Sequence, residues 1–181
     1  MTTATATKTL WKIDSVHTEA AFAVKHLMIS TARGRFGLVD GAVEFDPSDF
    51  TGASARITID AASIDTREAQ RDAHLRSGDF FDVEKYPSLT FNSRRVDDVQ
   101  GNKFKLVGDL TIKDITREVV LDVEAHGSSK DPWGTEHTGF SATTAISRKD
   151  FGLLWNAVLE TGGFAVGDDV KINLDVELVR A

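Results

Sequence analysis

Apolar and polar residues alternate with a period of two in eight short segments of this chain, and within each segment the large apolar side chains share one face. Residues 53–60 place alanine and isoleucine at the odd positions and polar residues at the even ones, and residues 170–178 place valine, isoleucine and leucine at every second position. Such alternation is typical of a strand with one buried and one wet face. Many one-sided strands in a small domain require a common interior.

One segment, residues 63–86, interrupts this pattern. It predicts a short helix over residues 67–77, with Asp65 or Thr66 as the N-cap, and a further turn that ends before Pro87. A single helical interruption disfavours a parallel α/β fold. The sequence therefore predicts an all-β fold: an extended antiparallel β-barrel of about eight strands with a short helical insertion around residues 66–84. A barrel is favoured over a sandwich because the strands are long and several turns are short.

The connections between the strands are also predicted. We expect a connection at residues 27–34, a tight hairpin loop at residues 114–117 and a long exposed loop at residues 127–137. Residues 35–45 are predicted to form one strand whose alternation shifts at Gly41, which indicates a β-bulge there.

The chain of 181 residues is 41% hydrophobic, which suits one domain with a real core. Residues 1–9, rich in threonine and alanine, are predicted to be a flexible tail, and residues 10–181 a single domain. The N-terminus lacks a basic leader and an apolar run, so a cytoplasmic location is expected. If a leader is missing from this numbering, the location is periplasmic or extracellular.

Charge and composition exclude several classes of function. The formal net charge of -7 argues against nucleic acid as a partner and against docking of a basic patch on anionic lipid, and the absence of cysteine excludes thiolate chemistry. No phosphate-binding loop and no tight histidine motif for a metal occur, although His17 and His26 lie on segments that can approach across strands. No metal site and no stable insertion into a membrane are predicted.

The inferred inward faces are almost free of charge. Their large side chains either fill the barrel themselves or surround a lumen that accepts an apolar chain, since a charged metabolite would be desolvated there without a partner. The predicted lumen residues are Phe22, Val24, Phe36, Phe45, Ile57, Ile59, Leu89, Phe91, Leu110, Ile112, Leu121, Val123, Phe140, Ile172 and Leu174.

Two features outside the strands carry alternative interpretations. The irregular apolar stretch 151–164 is either a lid or entrance beside the barrel mouth, or a loop packed on the core or buried in a dimer. Asp72 and His74, beside Arg71, are either an acid–base pair or groups that tie the insertion to the barrel rim by hydrogen bonds.

Several motifs, in this order and spacing, resemble the YceI-like family over nearly the whole chain, from about Leu10 to Glu177. Two small departures, Asp114 and Glu118, fall in a predicted hairpin loop. The motifs are Trp11-Lys-Ile-Asp-Ser-Val-His17, Val24-Lys-His26, Gly34-Arg-Phe36 with Gly41 and Phe45-Asp46, Ser63-Ile-Asp-Thr66, Arg71-Asp-Ala-His-Leu75, Ser77-Gly-Asp-Phe-Phe-Asp82, Tyr86-Pro87 with Phe91, Gly108-Asp-Leu-Thr-Ile112 and Ser147-Arg-Lys-Asp-Phe-Gly152.

The resemblance implies a lipocalin-like barrel that binds a long isoprenoid or another amphiphile in an apolar tunnel, without catalysis, and that forms a homodimer. No cofactor is expected apart from the bound lipid. The polar head of the lipid would remain at the mouth, where the candidate residues are His26, Arg33, Arg35, Arg71, His74, Phe80, Phe81 and Trp155.

Two other functions remain open from the sequence. The protein is alternatively an enzyme acting on a prenyl or quinone compound, with His26, Asp72 and His74 as candidate groups. It is alternatively an interaction module with a filled core, in which the apolar stretch 151–164 contacts a partner.

Overall fold

The computed structural model describes residues 7–181. Most of the predicted N-terminal tail, residues 1–6, lies outside the described residues. Thr9, at the end of that predicted tail, already belongs to the first strand and pairs with Phe45.

Within the described residues, eleven strands form one antiparallel sheet, and short helical segments occur at three places. The helical segments are α1 (Ala69–Arg76) and two 3-10 turns, Ala61–Ser63 and Arg148–Phe151. The strands are β1 (Thr9–Ile13), β2 (Glu19–His26), β3 (Ser30–Phe36), β4 (Val39–Asp46), β5 (Asp49–Asp60), β6 (Ile64–Asp65), β7 (Ser88–Gln100), β8 (Lys103–Ile112), β9 (Ile115–Lys130), β10 (Glu136–Ser147) and β11 (Val166–Arg180).

The sheet closes on itself through eight strands. Their order is β1-β4-β5-β7-β8-β9-β10-β11, and β1 pairs with β11 to complete the circuit. The edge of β11 that faces away from β10 has two partners. It pairs with β1, where Leu178 lies opposite Ile13, and with β2, where Leu174 lies opposite Ala20. The predicted all-β barrel of about eight strands with a short helical insertion is confirmed.

Strand alternation places the large apolar side chains inside the barrel, as a closed antiparallel sheet requires. One end of the interior, which we call the aromatic end, is filled by five rings. Phe45 is central, with ring centroids 5.6 Å from Trp11 and 5.3 Å from Phe140, and Phe50 stacks on Phe104 at 5.1 Å. This stacking closes that end of the barrel.

The helix begins later than the sequence predicts. Arg67 has a positive φ of 63° and its backbone N–H is bound by the Asp65 side chain, so the chain turns before the helix starts. Glu68 is the N-cap, and its carboxylate accepts hydrogen bonds from the backbone N–H groups of Gln70 and Arg71. The predicted start at residue 67 and the predicted caps Asp65 and Thr66 are wrong for this reason.

The predicted connection over residues 27–34 is also too long. Leu27 and Met28 both have positive φ, and the Ile29 N–H donates to the His26 carbonyl, which gives a tight hairpin turn directly before β3. Sequences usually mark such turns with glycine or asparagine. Leucine and methionine give no such signal, so the turn was missed.

Two other predicted loops are shortened by longer strands. β8 and β9 pair as far as Ile112 and Ile115, so the hairpin link is residues 113–114 and not 114–117, with Lys113 at positive φ. β9 continues to Lys130 and β10 begins at Glu136, which reduces the predicted loop 127–137 to residues 131–135.

The predicted strand 35–45 is two strands, separated at residues 37–38, and it has no bulge at Gly41. Gly41 pairs in register with Ile57, and the shift lies between Glu44 and Asp46. A Cβ at residue 41 would lie 2.2 Å from the Arg56 carbonyl oxygen, and its φ is 147°. Glycine is needed there for close approach of two strands.

Replacing Leu178 by alanine is expected to lower the free energy of unfolding by about 2–5 kcal/mol, because this side chain is 0% exposed and leaves a cavity. Leu38, 57% exposed between β3 and β4, is the matched control, and its replacement by alanine is expected to change stability by less than about 0.5 kcal/mol. Urea unfolding of both variants measures the difference. Equal effects would contradict the burial described here.

Candidate functional site

The barrel encloses a cavity of about 260 Å³. A buried water needs about 10–15 Å³ of such space, so the interior is not filled by its own side chains. All fifteen lumen residues predicted from the sequence line this cavity. The sequence did not single out further lining residues such as Phe50 and Phe104.

The cavity runs along the barrel. In β8 it is lined from Phe104 to Ile112, eight residues apart, which corresponds to about 27 Å of strand. Its lining is almost entirely apolar, and within residues 7–181 the charged residues in it are Glu19 and Arg148. A cavity of this shape and chemistry suits an extended hydrocarbon chain, because no charge deep in the lumen would pair with a polar ligand.

The end opposite the aromatic end is lined by the helical insertion and by the segment after β10, and we call it the mouth. Leu75, Phe80 and Phe81 come from the insertion, while Leu153 comes from the segment between β10 and β11 and Val166 begins β11. Of the predicted mouth residues, Phe80 and Phe81 therefore line the cavity.

His74 and Trp155 join these two segments at the mouth without lining the cavity. The His74 ring packs edge-on against Trp155 at 4.6 Å and against Phe80 at 5.1 Å, and its Nε2 is 2.8 Å from Asp79 Oδ2. The contact places the helical insertion directly against residues 152–165.

The structure does not bring Asp72 and His74 together. Asp72 is buried and accepts hydrogen bonds from the backbone N–H and the hydroxyl of Thr66, whereas His74 binds Asp79. Arg71 donates to the Thr66 hydroxyl and carbonyl, each at 2.8 Å. Asp72 and His74 therefore do not form a hydrogen-bonded pair, and Asp72 and Arg71 instead hold Thr66 at the start of the insertion.

The remaining cationic candidates point away from the lumen. Arg33 and Arg35 alternate with the inward-facing residues of β3 and lie on its outer face, where Arg35 is near Glu19 and Asp65. His26 is exposed at the end of β2. His17 lies at the other end of that strand, so His17 and His26 do not meet.

Arg148 also lines the cavity, and the sequence did not single it out although it occurs in the quoted motif at residues 147–152. Its guanidinium is 3% exposed and donates to the carbonyls of Gly167, Leu153, Trp155 and Val166. Burial lowers the pKa of Arg148, and Asp168 at 3.8 Å opposes that effect. The buried guanidinium of Arg148 therefore holds the segment between β10 and β11 against the barrel.

Exposed apolar side chains surround the mouth, and we call this surface the mouth patch. The β2–β3 turn contacts the loop after β10, because the Leu27 N–H donates to Ala165 and Met28 packs on Gly163. The predicted apolar stretch 151–164 is therefore divided, with Phe151 and Leu153 buried. The exposed members of the patch are Leu27, Met28, Ile29, Leu154, Val158 and Phe164.

The fold agrees with the comparisons to known proteins. Residues 11–178 match the YceI-like domain, and the chain belongs to this family. A UPF0312 protein of Staphylococcus aureus strain N315 is 42% identical over 170 residues, which cover 93% of this chain and 96% of the relative.

Solved structures show the same architecture. Burkholderia cenocepacia BcnA matches with a TM-score of 0.79 and 26% identity, over 91% of this chain and 98% of that one. The Campylobacter jejuni YceI protein is 34% identical with a TM-score of 0.71, over 87% and 90%. A polyisoprenoid binding domain from Saccharophagus degradans shares the fold, with a TM-score of 0.72 and 13% identity over 94% and 98%.

No helix within residues 7–181 has the length and apolar character needed to cross a membrane.

Replacing Arg148 by methionine is expected to lower the free energy of unfolding by at least about 2 kcal/mol, because four carbonyl groups lose their donor. Hydrogen exchange of residues 153–167 is expected to accelerate more than that of the barrel strands. Lys149→Met is the control, since Lys149 is exposed and shares the partner Asp168. Unchanged exchange in Arg148→Met would show that this side chain does not fix the segment.

Proposed function

We propose that this protein binds and carries, or stores, a polyisoprenoid or a similar long-chain amphiphile in its lumen, without catalysis. The observation that carries the proposal is the apolar cavity of about 260 Å³ that extends from the aromatic end to the mouth. The fold shared with a domain described as polyisoprenoid binding supports the choice of ligand class.

Burial of the hydrocarbon tail supplies the binding free energy in this proposal. Each methylene removed from water contributes about 0.8 kcal/mol, so a tail of several isoprene units binds tightly without polar contacts. The branched tail contacts the fifteen predicted lumen residues, from Phe45 and Phe140 at the aromatic end to Phe36 and Ile112 nearer the mouth.

The polar head stays at the mouth. Arg71 is occupied by Thr66, and Arg33 and Arg35 lie outside, so the proposal assigns the head to the neighbourhood of His74, Trp155 and His26. Head recognition is then weak and tail burial dominates, which favours a ligand class defined by its chain and not by one head group.

A catalytic role has less support. Asp72 and His74 bind different partners, and His26 is at the exposed end of β2. The filled-core alternative conflicts with the cavity.

Ala142→Phe tests the proposal, because Ala142 is buried and lines the cavity midway along β10, where a ring would fill the lumen. Uptake of geranylgeraniol or octaprenol, and recovery of co-purified lipid by native mass spectrometry and solvent extraction, are expected to fall at least about tenfold, since several methylene contacts are lost. The protein is expected to remain folded, because the space is free.

Ala145→Phe is the matched control. Ala145 lies on the same strand with its side chain on the exposed face, so this variant is expected to bind lipid normally. Normal uptake by a folded Ala142→Phe protein, or the absence of any isoprenoid uptake by the unmodified chain, would refute a ligand-filled lumen.

We also propose that the chain forms a homodimer through the mouth patch. The β2–β3 hairpin beside the patch carries Lys25 and Arg33, whereas the adjoining loop and β11 carry Glu160 and Asp169, all exposed. In a two-fold interface the basic side of one copy meets the acidic side of the other. The same acidic residues disfavour an anionic membrane as the occupant. A cytoplasmic location stays a prediction.

Val158→Asp is expected to convert the dimer to a monomer, because it places an unpaired charge in the apolar interface. Size-exclusion chromatography with light scattering measures the mass. Val16→Asp is the control, since Val16 is 84% exposed, close to the 78% of Val158, but outside the patch. A monomeric unmodified chain, or a Val158→Asp protein that remains a dimer, would contradict this interface.

A further inference from the structure

A cluster of titratable side chains lies on the outer face of the barrel where β11 changes partner from β1 to β2, a place we call the seam. Asp14 follows β1, His137 is at the start of β10 and Glu177 is in β11. Potential ligand atoms of these three residues all lie within 4.8 Å of one another. His17 adds a fourth, because its Nδ1 is 2.9 Å from Asp14 Oδ2 and 3.9 Å from Glu177 Oε1.

The carboxylate of Asp131 fixes the orientation of the His137 ring. Its Nε2 is 3.0 Å from Asp131 Oδ2, while Asp131 Oδ1 accepts hydrogen bonds from the backbone N–H groups of Trp133 and Thr135. In the neutral ring a proton on Nε2 leaves the lone pair on Nδ1. That nitrogen is buried and makes no aligned hydrogen bond, although Glu177 Oε1 is 2.8 Å away.

This arrangement is the one that metal-binding histidines share. Such a histidine donates its second ring N–H to a carboxylate, which fixes the tautomer and aims the free nitrogen at the ion. Zinc lies about 2.0–2.2 Å from nitrogen and oxygen ligands, so tetrahedral ligands are about 3.3 Å apart. At the seam, His137 Nδ1 is 2.8 Å from Glu177 Oε1. His17 Nδ1 is 2.9 Å from Asp14 Oδ2 and 3.9 Å from Glu177 Oε1, so the three distances lie on both sides of the zinc value.

The charge of the cluster also suits a cation. Asp14, Asp131 and Glu177 carry three carboxylates within the group, and no lysine or arginine forms an ion pair with any of them among the described residues.

We propose that Asp14, His137 and Glu177, with His17 as a fourth ligand, bind one divalent transition-metal ion of the zinc class, and that Asp131 positions His137. The imidazole and carboxylate donors suit zinc and its first-row neighbours better than calcium, which takes six or more oxygens. The sequence predicted no metal site. The spacing could not indicate this one, because its residues come from separate parts of the sequence and meet only in the folded barrel.

The bound ion would bridge the seam. On the β1/β2 side, the backbone of Glu177 is held by the Asp14 N–H and by reciprocal hydrogen bonds with the Thr18 hydroxyl, not by a paired strand. An ion held by Asp14, His137 and Glu177 would join the corner before β2 to β10 and β11. The proposal does not rest on a lumen ligand, since the sheet separates the two sites.

Zinc alone is titrated into the full-length chain, free of any affinity tag, at neutral pH by isothermal calorimetry, and the bound metal is counted by elemental analysis. One ion per chain is expected, together with a rise in the melting temperature by mass action. Cobalt in the same site is expected to show the d–d absorption of tetrahedral coordination. His137→Ala is expected to weaken zinc binding at least about tenfold, and Asp131→Asn by about 10–100-fold.

His126→Ala is the matched control, because His126 is exposed on neighbouring β9 and binds only Ser141 among the described contacts. It is expected to bind zinc normally and to keep the thermal shift. If His137→Ala does not fold, Glu177→Gln gives the same readout. The proposal is overturned if the unmodified chain binds no zinc, or if the loss of affinity in His137→Ala is no larger than in His126→Ala.

Discussion

The pairing of β1 with β11 is the interaction on which the rest of this structure depends. Through Trp11 with Arg180 and Ile13 with Leu178 it turns a sheet with two free edges into a closed barrel. Closure gives the eight barrel strands a common interior and pairs the edge of β1 that would otherwise be free. Because side chains alternate, a slip of one residue in this pairing would exchange the apolar and polar faces. The lumen therefore depends on the register of a three-residue contact.

Different kinds of interaction stabilise the two ends of the lumen. Aromatic rings fill one end by dispersion and stacking, and no polar group is required there. At the mouth, buried polar groups hold irregular backbone: Arg148 binds four carbonyls, and Arg71 and Asp72 bind Thr66. Since these groups are used by the protein itself, the lumen offers little to a charged ligand. Its apolar lining suits the hydrocarbon tail of the proposed ligand.

How much of the fold the sequence predicts depends on how far apart in the sequence the interacting residues lie. Period-two alternation identified all fifteen predicted lumen residues as lining, because burial of one face constrains every second residue. Backbone conformation was not readable where ordinary residues adopt positive φ. Leu27, Met28, Arg67 and Lys113 shifted the boundaries of β3, α1 and β9 for that reason.

The sites were less predictable than the fold, because side chains distant in the sequence create them. Arg148 occurs in a quoted motif, but its carbonyl partners lie up to nineteen residues away in a segment without regular pairing. Asp14 and Glu177 are separated by nearly the whole chain. No local motif or spacing predicts such a cluster, because only closure of the barrel brings its members together.

The seam links these observations, because it is where the closing contact ends. Between Ile13 and Glu19 the chain leaves β11 and returns to it, and the hydroxyl of Thr18 replaces a backbone partner for Glu177. The inner neighbours Val176 and Leu178 line the lumen, while Glu177 faces the histidines outside. At this point β11 lines the lumen with one face and carries Glu177 of the polar cluster on the other. The polar cluster lies on the barrel wall, away from the segments that form the mouth.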